Sequence, residues 1–141
     1  MAHSRDVENI DAISAWNILS KDNEALLVDV RTVPEWTFVG VPELRAIGKE
    51  PLLLSWRTYP KMDINPDFIT ALCQQAPNKE TSLLFLCRSG ARSLEAAKAA
   101  LSAGYHHCYN ILSGFEGDPN ADGHRGMLKG WKAENLPWGQ G

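Results

Sequence analysis

Leu83-Leu84-Phe85-Leu86-Cys87-Arg88-Ser89-Gly90-Ala91-Arg92-Ser93 decides how the whole chain is read. Four apolar residues lead into a cysteine and a short polar loop. A segment rich in Ala, Leu, Glu and Lys then runs to Ala103, with Gly104 where a helix would stop. The apolar run is continuous rather than alternating, which suits a strand covered on both faces of a parallel sheet. Outward from it, Ala25–Val30, Leu52–Trp56 and Cys108–Leu112 have the same character. Helix signals fall between these runs. Asp11 stands as a cap before Ile13, Trp16 and Leu19 on one side, and Thr32 and Glu35 have capping-box spacing ahead of Trp36 and Phe38. Asn65-Pro66 reads as a cap followed by a first-turn proline, leading into Phe68, Ile69 and Leu72. The alternation predicts an α/β fold, an open parallel β-sheet flanked by helices on both faces.

At 141 residues the chain has the length of one domain and can bury a core without a metal or a disulfide. From Gly114 onward the composition shifts to glycines at 114, 117, 123, 126 and 130, polar residues and two tryptophans. Residues 114–141 are therefore expected to pack irregularly on a single domain spanning 1–141. A net charge of −3 argues against nucleic acid as a partner. No apolar run reaches the eighteen or so residues of a membrane span. Arg5, Asp6, Glu8 and Asp11 interrupt any signal-peptide pattern, so no membrane role is expected. Cys73, Cys87 and Cys108 are an odd number of thiols without CxxC spacing, the usage of a reducing, cytoplasmic setting. His106-His107 and His124 lack companion ligands at metal spacing, and no cofactor or metal is expected.

In a parallel sheet, ligands bind beyond the carboxyl ends of the strands, which is where Cys87 falls. Backbone N–H groups of the loop and the first turn of the next helix point toward the same spot and favour an anion there. Gly90 lets the backbone curl, and Arg88 and Arg92 are expected to add two positive charges. These surroundings favour the thiolate, so Cys87 is the expected nucleophile, with no histidine beside it in sequence. Cys73 and Cys108, set in apolar patterns, read as small buried hydrophobes.

With these residues in view, the chain resembles the rhodanese family. Asp29-Val30-Arg31 with Glu35-Trp36 is similar to the family's DxR segment and its trailing acidic–aromatic pair. Cys87 through Ser93 is similar to the CRSGxRS active loop, and Ser113-Gly114-Phe115-Glu116-Gly117 to the glycine-rich turn after the last strand. Two features depart from the pattern: Val41-Pro42-Glu43 follows Gly40 with a longer insertion through Glu50, and Gly123-His124-Arg125-Gly126 and Gly130-Trp131-Lys132 resemble a bacterial single-domain subset. The resemblance implies that four strand ends meet at the site, bringing Asp29 and Arg31, Ser55-Trp56-Arg57, Cys87, and Gly114-Phe115-Glu116 together. Asp29 then orients the loop or serves as a turn residue; Arg31 has a role there or forms a surface pair with Glu35. Trp56 and Phe115 wall the pocket or belong to the core.

What the resemblance implies in chemistry is a rhodanese-type thiosulfate sulfurtransferase. Cys87 takes sulfur from a small anionic donor held by Arg88, Ser89, Gly90, Ala91, Arg92 and Ser93, then passes it from a persulfide to a protein or small-thiol acceptor. Two alternatives stand beside this: a persulfide carrier or binding module without turnover, and a cysteine phosphatase or arsenate reductase. The four residues between Cys87 and Arg92 make a six-residue loop, one shorter than in phosphatases of this fold, and favour sulfur over phosphate.

Overall fold

The structure, a computed structural model, describes residues 6–59, 61–88, 90–112, 114–116, 131–132, 134 and 136–139, without the side chain of Phe38. The strands are β1 (Glu8–Ile10), β2 (Leu26–Asp29), β3 (Val41–Pro42), β4 (Leu52–Leu53), β5 (Arg57–Thr58), β6 (Asp63–Ile64), β7 (Ser82–Leu86), β8 (His107–Ile111) and β9 (Trp138–Gly139). The helices are α1 (Ala12–Lys21), α2 (Val33–Phe38), α3 (Phe68–Gln75) and α4 (Ala91–Ser102), with a 3₁₀ turn at Arg45–Ile47. Strands β1-β8-β7-β2-β4 form one parallel sheet in that order, with β7 at its centre. The expected open sheet with helices on both faces is what the chain forms.

Successive side chains of a strand point to opposite faces, and β7 shows how this builds two cores. Leu83 and Phe85 join Val28, Phe68, Leu72, Ala96, Ala97 and Ala100 beneath α3 and α4. Leu84 and Leu86 join Ala12, Ala15, Leu19, Leu27, Phe115 and Trp131 on the α1 side. Each buried leucine contributes about 1.5–3 kcal/mol on leaving water, so the continuous apolar runs are the main term holding the sheet between its helices. Among the described residues no helix is long and apolar enough to cross a membrane.

Several local expectations shift. Ile13 is 40% exposed, while Leu19 is buried as expected, Trp16 packs against the core, and Ala12 and Ala15 complete the buried face of α1. Steps of three from Ile13 drift around the helix, whereas the three-then-four spacing of 12, 15 and 19 stays on one face. The third helix starts at Phe68, because Asn65 accepts a 3.0 Å bond from the Asp67 N–H and makes a turn before the helix. Only Leu52–Leu53 of the run through Trp56 form the ladder, although Leu54 and Trp56 still donate backbone bonds to Asp29 and Val30. Edge strand β1 carries little apolar signal in the sequence, because Ile10 alone of its three residues is buried.

The insertion after Gly40 is anchored. Leu44 is buried, and Lys49 Nζ donates to the carbonyls of Asp22 and Ala25 at 2.6 and 2.7 Å, beyond the end of α1. In the tail, Trp131 is fully buried and meets Trp16 edge-on at 5.9 Å, while β9 pairs antiparallel with β3. That pairing requires Gly40: at φ 111° a Cβ there would lie 2.6 Å from the Gly139 carbonyl oxygen. Ser89, Ser113, Gly117, His124, Arg125 and the glycines at 123, 126 and 130 lie outside the described residues.

Candidate active site

Cys87 follows the central strand directly, at its carboxyl end, and α4 begins four residues later. Two backbone bonds hold the start of the loop: Phe115 N–H donates to the Cys87 carbonyl at 2.8 Å, and Glu116 N–H to the Arg88 carbonyl at 3.0 Å. With these carbonyls held, the loop is turned so that Gly90 N–H donates to Cys87 Sγ at 3.1 Å. Gly90 itself has φ 107°, a left-handed conformation that a side chain would strain, and caps α4. Gly114 is needed for a different reason. A Cβ on it would sit 2.3 Å from the Cys87 carbonyl oxygen and 2.7 Å from the Arg88 carbonyl carbon, so only glycine lets this turn pack against the loop.

The sulfur is enclosed, with Cys87 1% exposed. Besides Gly90, it meets the Ser93 hydroxyl at 3.3 Å, one turn into α4. Ser93 is fully buried and donates onward to Asn110 Oδ1 at 2.5 Å. The site therefore offers sulfur a backbone donor and the N-terminal end of a twelve-residue helix, both of which favour negative charge, with the Ser93 oxygen beside it.

The two arginines of the loop behave differently. Arg92 lies half-buried and grips Glu35 with both terminal nitrogens, at 2.7 and 2.9 Å, joining the start of α4 to α2. Burial opposes its charge, but the Glu35 carboxylate more than offsets this, Cys87 and Asp29 add to the effect, and the Arg92 pKa is raised. Glu35 responds in kind: burial pushes its carboxyl up, while Arg92 and the Thr32 N–H and hydroxyl outweigh that and hold it below its ordinary value. Arg88 points outward, exposed, and makes no side-chain hydrogen bond among the described residues. So the two free charges expected beside the sulfur are in fact one ion-paired guanidinium and one exposed one.

The DxR segment makes its own buried pair. Arg31 Nε and one terminal nitrogen bind both Asp29 oxygens at 2.9 and 2.6 Å, and that nitrogen also reaches the Gly40 carbonyl at 2.7 Å. Both residues are fully buried, and the guanidinium lies 4.3 Å from the centre of the Phe115 ring. Arg31 is thus no surface partner of Glu35, and among the described residues Asp29 makes no side-chain bond to the loop itself. Its link is indirect, through Arg31 stacked on Phe115, whose N–H holds the Cys87 carbonyl. Phe115 belongs to the core, and so does Trp56, which packs edge-on against Phe68 and donates Nε1–H to Glu95 at 2.8 Å.

Cys108 is buried, and burial pushes its thiol up to about 12, which makes it inert at neutral pH. Cys73 departs from expectation: it is half-buried, with Lys79 Nζ at 3.5 Å. His106 and His107 both turn to Glu80. Sequence reasoning missed Asn110, which appears there only as part of an apolar strand and stands out only once its side chain is seen buried against Ser93.

The description "STR4 middle domain" matches residues 7–141. An uncharacterized protein of Rickettsia prowazekii (strain Madrid E) is 42% identical over 132 residues, spanning 94% of this chain and 97% of its own length. A rhodanese-like domain-containing protein 4, chloroplastic, of Arabidopsis thaliana is 27% identical over 129 residues; these are 90% of this chain and 24% of that protein. Among solved structures, Rv0390 from M. tuberculosis is 44% identical, with a TM-score of 0.89 over 96% of this chain and 99% of its own. The polysulfide-sulfur transferase homodimer of Wolinella succinogenes, 18% identical, shares the fold with a TM-score of 0.63 over 96% of this chain and 80% of its own. With the strand–Cys87–loop–helix geometry in place and these likenesses along nearly its full length, the chain belongs to the rhodanese-like family, within the group described as the STR4 middle domain.

Proposed function

We propose that the protein is a sulfurtransferase in which Cys87 carries sulfane sulfur from a small anion such as thiosulfate to a thiophilic acceptor. The observation that carries this reading is Sγ itself, enclosed at the end of the central strand with Gly90 N–H at 3.1 Å and the Ser93 hydroxyl at 3.3 Å. In the first half-reaction the Cys87 thiolate attacks the outer sulfur of thiosulfate. A sulfur–sulfur bond forms to Sγ as the bond within the donor breaks, and the bond pair leaves with sulfite. The negative charge now rests on the terminal sulfur of a persulfide. In the second half-reaction a nucleophile such as cyanide or a thiolate takes that sulfur, and the electron pair returns to Cys87 as thiolate.

Each residue has a part in this scheme. Gly90 N–H and the helix end stabilise charge on sulfur, and Arg88, exposed beside the loop, attracts the anionic donor. Arg92 braces the far side of the loop through Glu35. The enclosed sulfur suits a small donor, and the six-residue loop suits a single added sulfur more than a phosphoryl group with three equatorial oxygens. The free thiols suit a reducing compartment such as the cytoplasm. Treating the protein with thiosulfate should add the mass of one sulfur, located on Cys87, and cyanide should then release thiocyanate. Cys87→Ser should lose both. Thiocyanate formation by Cys87→Ser at the original rate, or hydrolysis of an aryl phosphate faster than sulfur transfer, overturns the reading.

A further inference from the structure

Behind Cys87 a line of hydrogen bonds leaves the site and crosses the sheet. Sγ lies 3.3 Å from Ser93 Oγ, Ser93 Oγ lies 2.5 Å from Asn110 Oδ1, and Asn110 Nδ2 lies 3.0 Å from Asn9 Oδ1. Ser93 and Asn110 are buried, whereas Asn9 is exposed. Asn9 and Asn110 are register partners across β1 and β8, so the edge strand delivers the last member. We propose that Asn110 and Asn9 are positioning residues that govern, through Ser93, whether a hydrogen-bond donor or an acceptor faces the Cys87 sulfur. The proposal rests on the reading of Cys87 as the sulfur carrier and extends it to the hydroxyl beside the sulfur.

Ser93 has a single hydroxyl proton and two neighbours that can accept it. As the chain stands, Asn9 accepts from Asn110, which directs Asn110 Oδ1 at Ser93, and the Ser93 proton goes to Asn110. The Ser93 lone pairs then face sulfur and suit a thiol that donates S–H. Rotating both amides by half a turn exchanges their oxygen and nitrogen positions without moving the backbone. Asn9 Nδ2 then donates to Asn110 Oδ1, Asn110 Nδ2 donates to Ser93 Oγ, and the Ser93 O–H is free to turn to sulfur. This second arrangement suits a thiolate or a persulfide anion, and a hydrogen bond to a charged acceptor is the stronger kind.

Both arrangements keep the buried groups bonded, so the chain matches the charge on sulfur without orphaning a polar atom. Its outer end, Asn9, is exposed and lines a surface cleft of about 500 Å³ with Asp6, Val7, Leu94, Lys98, Leu101 and Ser102. Among the described residues, the charged groups around Cys87 are Arg88 on the loop, the Arg92–Glu35 pair joining α4 to α2, and the Asp29–Arg31 pair at the end of β2. Ser93, Asn110 and Asn9 carry no charge-changing group of their own.

The test fixes the outer end. In Asn9→Asp the carboxylate only accepts, which pins Asn110 Oδ1 toward Ser93 and keeps the Ser93 proton away from sulfur. Alkylation of Cys87 by iodoacetamide at neutral pH, located by peptide mass spectrometry, should slow by about fivefold, the worth of one modest hydrogen bond. Asn9→Ala removes the acceptor, frees the Asn110 amide, and should leave the rate equal to the unmodified protein's or higher. In a Ser93→Ala background the link is cut while the added charge of Asn9→Asp remains, so that substitution should have no further effect. Equal slowing by Asn9→Asp with and without Ser93, an unchanged rate in Asn9→Asp, or slowing of Asn9→Asp and Asn9→Ala alike would each overturn the proposal. Alkylation needs no sulfur donor, so a failure of sulfur transfer and a failure of this relay are read separately.

Discussion

Arg88 and Arg92 sit four residues apart on one loop, yet they should fail differently when removed. Arg88 is exposed and holds no partner among the described residues, so its charge is available to a donor arriving from solvent. A charge-assisted bond to an anion contributes roughly 1.5–3 kcal/mol. Arg88→Ala should therefore lower kcat/KM for thiosulfate by about tenfold or more, mostly through KM, with the melting temperature little changed. Steady-state kinetics at low and moderate salt checks this, because an exposed charge also loses its pull as ionic strength rises. A loss of kcat alone at unchanged KM would place Arg88 in the sulfur-transfer step rather than in donor capture. Arg92 is already committed to Glu35, and replacing it should disturb the loop's support as well as its charge.

Between elements, the Glu35–Arg92 pair is what joins α2 to the first turn of α4. The Glu35 carboxyl is held below its ordinary value near 4.5, so the folded state binds its proton less readily than the unfolded chain does. The stability it contributes is thus fully present above that ordinary value and is lost as pH falls through the lower, folded value. Glu35→Gln keeps a side-chain oxygen for the Thr32 N–H and hydroxyl but removes the charge facing Arg92. At neutral pH it should lower the melting temperature by about 3–8 °C, the effect of roughly 1–2 kcal/mol in a chain of this size. The two melting curves should draw together as the solution is acidified below pH ~4. Thermal melts across pH measure it, and a gap that stays constant into acid would show that the ion pair is not the cause.

Across the whole molecule, Trp131 and Lys132 reach the Cys87 loop through a ladder of backbone bonds. Trp131 N–H donates to the Gly114 carbonyl at 2.9 Å and Lys132 N–H to that of Phe115 at 3.1 Å, while Phe115 and Glu116 hold Cys87 and Arg88. Trp131, fully buried beside Trp16, anchors that ladder, and Trp131→Ala should cost about 3–5 kcal/mol. Urea unfolding would show this as a lower midpoint, and a cost under about 1 kcal/mol would mean the tail is not part of the cooperative unit. The sequence by itself determined the strands at the centre of the sheet, the cap at Asp11, the backbone curl at Gly90, and the position of Cys87 at a strand–helix junction. Each of these rests on contacts among near neighbours: continuous apolar runs, a side chain bonding three residues on, a glycine able to take φ 107°. Only the tertiary structure decided which charges pair. Arg31 chose Asp29 over Glu35 because both were buried together, and Glu35 was left to an arginine 57 positions away. Asn9 and Asn110 stand 101 residues apart and meet only through the register of an edge strand with little apolar signal of its own. Local patterns carry the free energy of making elements, whereas ion pairs and polar chains depend on which elements come to lie side by side, and that is settled when the sheet closes over its two cores.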